Sequence, residues 1–230
     1  MNLNQSVSPV FFMITLIETA DGSQTVKNNE IDESYHSTHG AIQESMHVYI
    51  NHGLGFVANN RSKIRVFEMG FGTGLNALLT LREVLKSTNL EVEYVCIEPF
   101  PLPESIYRQL NYPKENERDY FIKMHESVNG KNINIHERFS FLKMENKFED
   151  FQYYKQFDVM YYDAFGPTSQ PELWNLDSLK KSVDLLHSRG VWVTYCSKGE
   201  VRRGLESLGM QVFRVGGPPG KRHMIFAVKP

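Results

Sequence analysis

From Ser62 onward, short apolar runs alternate with stretches whose apolar residues recur every three or four positions. The runs "KIRVFEM" (63–69), "EVEYVCIE" (91–98), "NINIHE" (132–137), "FDVMYYD" (157–163), "GVWVTYC" (190–196), "MQVFRV" (210–215) and "HMIFAVK" (223–229) predict strands. Helical spacing fills 75–87, parts of 103–127, 176–188 and 199–209. Strand and helix in alternation mean parallel crossover units, hence an α/β doubly wound sheet. The last two strands break the rule. Only "GGPPGKR" (216–222) joins them, too short for a helical crossover, so they are expected to form an antiparallel hairpin. Residues 1–60 read differently. An apolar stretch at 8–22 alternates like a strand, "ADGSQ" (20–24) makes a hairpin turn, a polar loop follows, and an amphipathic helix runs from about 41 to 52. This extension is expected to pack over the ligand edge of a single unit spanning 61–230. The polar, helix-like 112–130 reads as an insertion.

The chemistry concentrates where strands end. In "VFEMGFGTGL" (66–75) a strand closes on Glu68, followed by Gly70, Gly72 and Gly74 and then a helix. A dinucleotide fingerprint spaces its glycines G-x-G-x-x-G and aims a helix N-terminus at a pyrophosphate. Here the spacing is G-x-G-x-G, and the carboxylate of Glu68 would repel a pyrophosphate. It suits the ammonium of a methionine moiety, directly or through water. The next strand ends in Glu98, placed to accept hydrogen bonds from two ribose hydroxyls. Two strand-end acids and no provision for phosphate point to S-adenosyl-L-methionine. The fourth strand ends in "YYDAFGPTSQPELW" (161–174), so Asp163, followed by Phe165 and Pro167, sits where a methyl acceptor would meet the sulfonium. A carboxylate there suits an amine acceptor, since it attracts the cation and accepts the N–H bonds that orient the lone pair. Asp163 could instead cap the following segment, and Phe165 and Trp174 could be core residues.

Composition narrows this little. The formal net charge of −2 over 230 residues argues against a nucleic-acid binder that uses its whole surface. Charge is uneven, however: Lys198 to Pro230 holds seven Lys/Arg against Glu200 and Glu206, and such a segment can meet phosphates if it folds onto one face. Arg202, Arg203, Lys221 and Arg222 are the candidates. Two cysteines, Cys96 and Cys196, suggest neither a disulfide framework nor zinc, and eight histidines include no HExxH pair, so no metal is expected. No signal peptide or membrane span is read, and a cytoplasmic location is expected.

The terminal hairpin on a parallel sheet resembles the seven-stranded class I methyltransferase fold. Further motifs make the resemblance specific. "DGSQTVKNNEIDESYHSTHGAIQES" (21–45), "EMGFGTGLNALLT", "IEPFPL" (97–102), "DAFGPTSQPELW", "TYCSKGEVRRGLESLGM" (194–210) and "GPPGKRHMIFAV" (217–228) are similar to segments of the tRNA 5-methylaminomethyl-2-thiouridine methyltransferase family, the MnmC/MnmD type. The resemblance implies methylation of the exocyclic amine of 5-aminomethyl-2-thiouridine at the tRNA wobble position. It implies cofactor contacts by Tyr35, Ser37, Glu44, Phe71 and Asn76 beside the glycines and the two strand-end acids, and chemistry at Asp163, Phe165 and Pro167. Some members carry a flavin-dependent oxidase domain behind the methyltransferase; this chain resembles the stand-alone form, so no flavin domain is expected in it. Two departures stand out. Met69 occupies a place where small residues are common, and "IHERFSFL" lacks the usual adenine-loop Asp, leaving Glu137 or Ser140 as substitutes. The rival readings are a polyamine-type aminopropyltransferase, disfavoured by the basic tail, and a catalytically silent S-adenosylmethionine-binding module, disfavoured by Asp163 among intact neighbours.

Overall fold

The computed structural model describes residues 14–153 and 156–230. Its centre is an eight-stranded sheet. Five strands run parallel: β4 (Lys63–Met69), β5 (Glu91–Ile97), β7 (Phe139–Met144), β8 (Phe157–Tyr162) and β9 (Leu186–Thr194). The remaining three, β6 (Ile133–His136), β10 (Gln211–Gly216) and β11 (His223–Val228), are antiparallel to their neighbours. Spatial order is β10-β11-β9-β8-β4-β5-β7-β6. All six residues of β8 are buried, as a central parallel strand covered on both faces requires, which is why its sequence is a continuous apolar run rather than an alternating one. Period-two alternation still sorts β4: Val66 belongs to the cluster that holds Tyr49, Tyr94 and Tyr161, Phe67 and Met69 to the one that holds Phe157, Met160 and Trp192.

The strand expected at 132–137 needs correction. It is a short edge strand, β6, that turns through Glu137 and Arg138 into the antiparallel β7, "FSFLKM". Two residues cannot make a crossover, so only β7 runs parallel to β5, with Ile97 opposite Met144. The sheet therefore has eight strands where seven were expected. Glu137 is exposed in the β6–β7 turn and Ser140 lies one residue into β7, so neither is at the ligand edge. The loop that reaches the edge after the third parallel strand is 145–149.

The other elements follow the pattern closely. Helix α2 is Leu75–Lys86, α3 is Glu104–Tyr107, α4 is Arg118–His125, α5 is Leu176–Asp184 and α6 is Gly199–Ser207. Helix α5 is shorter than its sequence suggests, because Leu186 already pairs with Phe157 in β9. In the N-terminal part, β1 (Ile14–Glu18), β2 (Gln24–Asn28) and β3 (Glu33–Ser34) form a separate three-stranded sheet; the remainder of the strand read at 8–22, residues 8–13, lies outside the described residues. Helix α1 follows as Ala41–Ser45, a π-helical Met46–Leu54, and Gly55–Ala58. It is longer than the expected 41–52, and the wide turn is an uncommon geometry that often accompanies functional sites. Its Tyr49 packs on Tyr161 of β8 with ring centroids 5.2 Å apart.

Candidate active site

The glycine loop is shaped by what crowds it. Gly70 and Phe71 both donate to the Ile97 carbonyl, at 3.1 and 3.0 Å, folding the chain back over the sheet edge. Gly70 has φ +84° and lies so near the next strand that a Cβ would come within 2.9 Å of the Asp163 carbonyl oxygen. Gly72 has φ +49°, and a Cβ there would meet the Tyr35 ring at 2.9 Å. Any side chain at either position would be strained and would push the loop off its neighbours. Gly74 begins α2. Above the loop opens a cavity of about 640 Å³, well within the range of small-molecule sites, at the carboxyl ends of β4, β5 and β8.

Tyr35, Ser37 and Glu44 line this cavity from the N-terminal part; Gly70, Phe71, Gly72 and Asn76 form its floor; Glu98, Asp163 and Phe165 complete the strand-end wall. Three residues expected here lie elsewhere. Gly74 sits behind the loop, and Pro167 shapes the loop after β8 without reaching the cavity wall. Glu68 is fully buried beneath the floor, because β4's alternation turns it toward Tyr94 and Tyr161. Its connection to the cavity is Asn76, whose side-chain nitrogen donates both to Glu68 Oε1 at 2.9 Å and to Asp163 Oδ2 at 2.8 Å.

That shared amide organises the electrostatics. Asp163 receives a second donor, the Tyr49 hydroxyl, at 2.5 Å on Oδ1. Desolvation pushes its carboxyl up to about 7, against the lowering effect of the Tyr49 bond. Glu98 accepts from the Gly72 N–H at 2.8 Å and the Phe100 N–H at 2.9 Å, and burial likewise pushes it up to about 7. Glu68 is pushed well above its ordinary range, first by burial and then by the Asp163 charge. Asn76 Oδ1 is buried with no hydrogen-bond partner, whereas Glu68 faces the Tyr94 hydroxyl, whose bond works to lower it. Two desolvated acids on the strand-end wall, a third beneath the floor and the unpartnered Asn76 oxygen fit a ligand that brings positive charge and N–H donors.

Folded Asp163 and Glu98 hold protons up to about pH 7, whereas their ordinary values are 3.8 and 4.5. Between roughly pH 4 and 7 the folded state binds more protons than the unfolded, so stability falls as pH rises. The ligand-free protein is expected to lose several degrees of melting temperature from pH 5 to pH 8, and Asp163→Asn or Glu98→Gln to flatten that slope. Thermal scans in which both variants keep the full slope would place its origin elsewhere.

The loop after β8 is braced on every side. Tyr195 donates to the Ala164 carbonyl at 2.8 Å, Trp174 to the Phe165 carbonyl at 2.7 Å, and Gln170 accepts from the Phe165 N–H at 2.9 Å. Trp174 is core, edge-on to Tyr162. Phe165 stands edge-on to Tyr35, centroids 5.0 Å apart, and Ser169 is bonded to Glu33 of β3 at 2.6 Å. His36, also unforeseen, bonds Thr73 of the glycine loop at 2.7 Å; burial lowers it to about 4, so it is neutral. Tyr49, Tyr195 and His36 escape sequence reasoning because each sits in an apolar or polar stretch that reads as ordinary helix, strand or loop.

The basic residues divide. Arg203 and Arg222 are exposed and Arg202 is half-buried and paired with Glu206 at 2.9 Å. Lys221, expected among them, points into the cavity instead, where its ammonium bonds Glu44 Oε2 at 2.6 Å and lies 3.9 Å over the centre of the Tyr195 ring. Cys96 and Cys196 are free and buried. Among the described residues no group of three or more His, Cys, Asp or Glu could hold a metal ion, and no helix is long and apolar enough to cross a membrane.

Comparison with known proteins adds an independent line. Residues 110–230, more than half of the chain, match the model of a family of S-adenosyl-L-methionine-dependent methyltransferases. The chain is 27% identical over 210 residues to the tRNA 5-methylaminomethyl-2-thiouridine biosynthesis bifunctional protein MnmC of Campylobacter fetus, covering 87% of this chain and 34% of that protein. With the MnmC of Idiomarina loihiensis it shares 28% over 217 residues, 84% of this chain and 35% of that one. The chain thus spans about a third of the length of these relatives. Among solved structures, MnmC2 from Aquifex aeolicus superposes with a TM-score of 0.81 at 28% identity, covering 97% of this chain and 74% of that one. Spermidine synthase from Thermotoga maritima, at a TM-score of 0.51 and 15% identity over 99% of this chain and 83% of that one, shares the fold alone.

Proposed function

The chain belongs to the S-adenosyl-L-methionine-dependent methyltransferases, of the MnmC type, and from that premise we propose that it methylates the primary amine of 5-aminomethyl-2-thiouridine at the wobble position of tRNA. The observation that carries the reading is Asp163, a desolvated carboxylate at the end of β8, held by Tyr49 and Asn76 and open to the cavity beside the glycine loop. S-adenosyl-L-methionine, when bound, supplies a methyl group on a positively charged sulfur. Glu98 would hold the ribose hydroxyls, and the floor formed by Gly70, Gly72 and Asn76, with Glu68 behind it, would face the cationic half of the molecule. Asp163 would accept N–H bonds from the acceptor amine, turn its lone pair into the cavity, counter the charge that grows on nitrogen and hold the proton it releases. Phe165 and Tyr35 offer aromatic surfaces to the base ring, and Pro167 fixes the loop that presents Phe165.

The cavity wall carries seven carboxylates, Asp32, Glu33, Glu44, Glu98, Glu149, Asp163 and Glu172, against Lys147 and Lys221. Such a lining repels a phosphate chain and attracts a cation. It fits a single extruded nucleoside that carries an aminomethyl group, with the rest of the RNA held outside. Arg202, Arg203 and Arg222 are the candidates for that outer contact. Reversing these three to Glu is expected to weaken tRNA binding at least tenfold and to lower the salt slope by about 0.9 for every phosphate no longer neutralised, leaving cofactor affinity unchanged. A variant with the normal tRNA affinity and slope would remove this patch from the account. The function itself is tested by incubating the protein with methyl-labelled S-adenosyl-L-methionine and bulk tRNA from cells lacking the modification. Label on the wobble nucleoside supports the reading. Label only on some other nucleoside, or on no nucleoside, overturns it.

A further inference from the structure

The pair formed by Glu44 and Lys221 is a feature that neither the methyl-transfer chemistry nor the RNA contact uses. The residues are 177 apart in sequence, yet Lys221 Nζ lies 2.6 Å from Glu44 Oε2 inside the cofactor cavity. Glu44 is 4% exposed, and its other oxygen accepts the Ser37 N–H at 3.1 Å. The ammonium also rests 3.9 Å above the Tyr195 ring, whose hydroxyl is tied to the Ala164 carbonyl next to Asp163. Glu44 and Lys221 both act electrostatically on His36, which is bonded to Thr73 of the glycine loop, and both act on Asp163. The pair therefore sits at the loop-and-acceptor end of the cavity. The other lysine on the wall, Lys147, follows β7, with Glu98, at the end of β5, between it and the glycine loop.

S-adenosyl-L-methionine ends in an amino acid with one ammonium and one carboxylate. A wall with seven acids and two lysines offers many places for the ammonium and few for the carboxylate. Of the two lysines, only Lys221 lies at the end where the glycine loop, Asp163 and Tyr35 meet, and it is held there by an acid on one side and an aromatic face on the other. An ammonium has three donors, of which Glu44 takes one. The buried carboxylate of Glu44 has lone pairs left beyond its bonds to Lys221 and Ser37.

We propose that Lys221 and Glu44 form a clamp for the amino-acid end of the cofactor, Lys221 binding its carboxylate and Glu44 its ammonium, so that Lys221 makes the site prefer the carboxylated cofactor over its decarboxylated form. The clamp is built in advance: the two protein charges satisfy each other when the ligand is away, so neither is left buried alone. The same arrangement separates this site from one made for aminopropyl transfer, where the donor has lost that carboxylate and an ammonium in this place would have nothing to bind.

The test is calorimetric and needs no acceptor RNA, so it stands apart from the assignment of the acceptor. S-adenosyl-L-methionine and its decarboxylated analogue are titrated separately into the wild type, Lys221→Met and Lys221→Arg, with thermal unfolding to check that each variant is folded. The wild type is expected to bind the carboxylated form at least tenfold more tightly than the decarboxylated one. Lys221→Met should lose about tenfold to a hundredfold for the carboxylated form and change less than threefold for the other, while Lys221→Arg keeps most of the preference. Equal losses for both ligands would make Lys221 a strut of the hairpin, and no loss for either would place the carboxylate elsewhere; each result overturns the proposal. Should Lys221→Met fail to fold, Lys221→Gln and the wild-type preference between the two ligands decide, a wild type without preference being fatal.

Discussion

Asp163→Asn is expected to slow methyl transfer by roughly 10²–10³-fold while leaving the affinity for S-adenosyl-L-methionine within a few-fold of normal. The substitution preserves size but removes the charge proposed to counter a developing ammonium. It also disturbs the site locally. Asp163 accepts from Tyr49 on one oxygen and from Asn76 on the other, so the introduced amide nitrogen must face a donor. The pH profile separates this from simple misfolding. The wild-type rate should rise with pH through two ionisations, that of the acceptor amine and that of Asp163, whose carboxyl lies at about 7 in the ligand-free protein. In the variant only the limb set by the substrate remains. Single-turnover rates showing an unimpaired variant would reduce Asp163 to a structural anchor for Tyr49.

Glu98→Ala should weaken cofactor binding at least tenfold, and a hundredfold or more if both ribose hydroxyls are lost as partners, since hydrogen bonds to a charged acceptor are worth roughly 1.5–3 kcal/mol each. The loss has a second source. Glu98 holds the Gly72 and Phe100 amides, so its removal frees the glycine loop as well as the proposed ribose contact. Glu98→Gln keeps one acceptor and the shape and should fall between the two. Calorimetry giving the same affinity for wild type and both variants would sink the assignment of Glu98 to the ribose.

Much of the fold is legible in the chain. The parallel core can be read because each strand and each helix carries its own period, and the terminal hairpin because "GGPPGKR" is too short for anything else. The edge strand β6 is harder for a simple reason: "NINIHERFSFLKM" is one unbroken stretch of strand-like residues, and the turn at Glu137 and Arg138 contains neither glycine nor proline. That single ambiguity moves the expected adenine loop to the wrong end of the sheet. At the site, strand-end acids announce themselves because a carboxylate after an apolar run is conspicuous. Glu68 is conspicuous too, yet whether it faces the cavity or the layer beneath depends on strand phase and on Asn76. Tyr49 and the pairing of Lys221 with Glu44 leave no local trace, since contacts between distant segments are a property of the packed fold alone.

That distance has a consequence for how the protein comes into being. Tyr49 reaches Asp163 across 114 positions, and Lys221 reaches Glu44 across 177. Strand β11, which follows the Lys221 turn, is inserted between β9 and β10, so the turn is in place only once the sheet is closed on that side. Contacts of such long range are slow to find because loop closure must precede them. Assembly of the sheet and assembly of the cavity are therefore separable events in time. During refolding, secondary structure and core fluorescence should recover first and affinity for the cofactor last, with the rate of that final phase governed by docking of the hairpin onto α1.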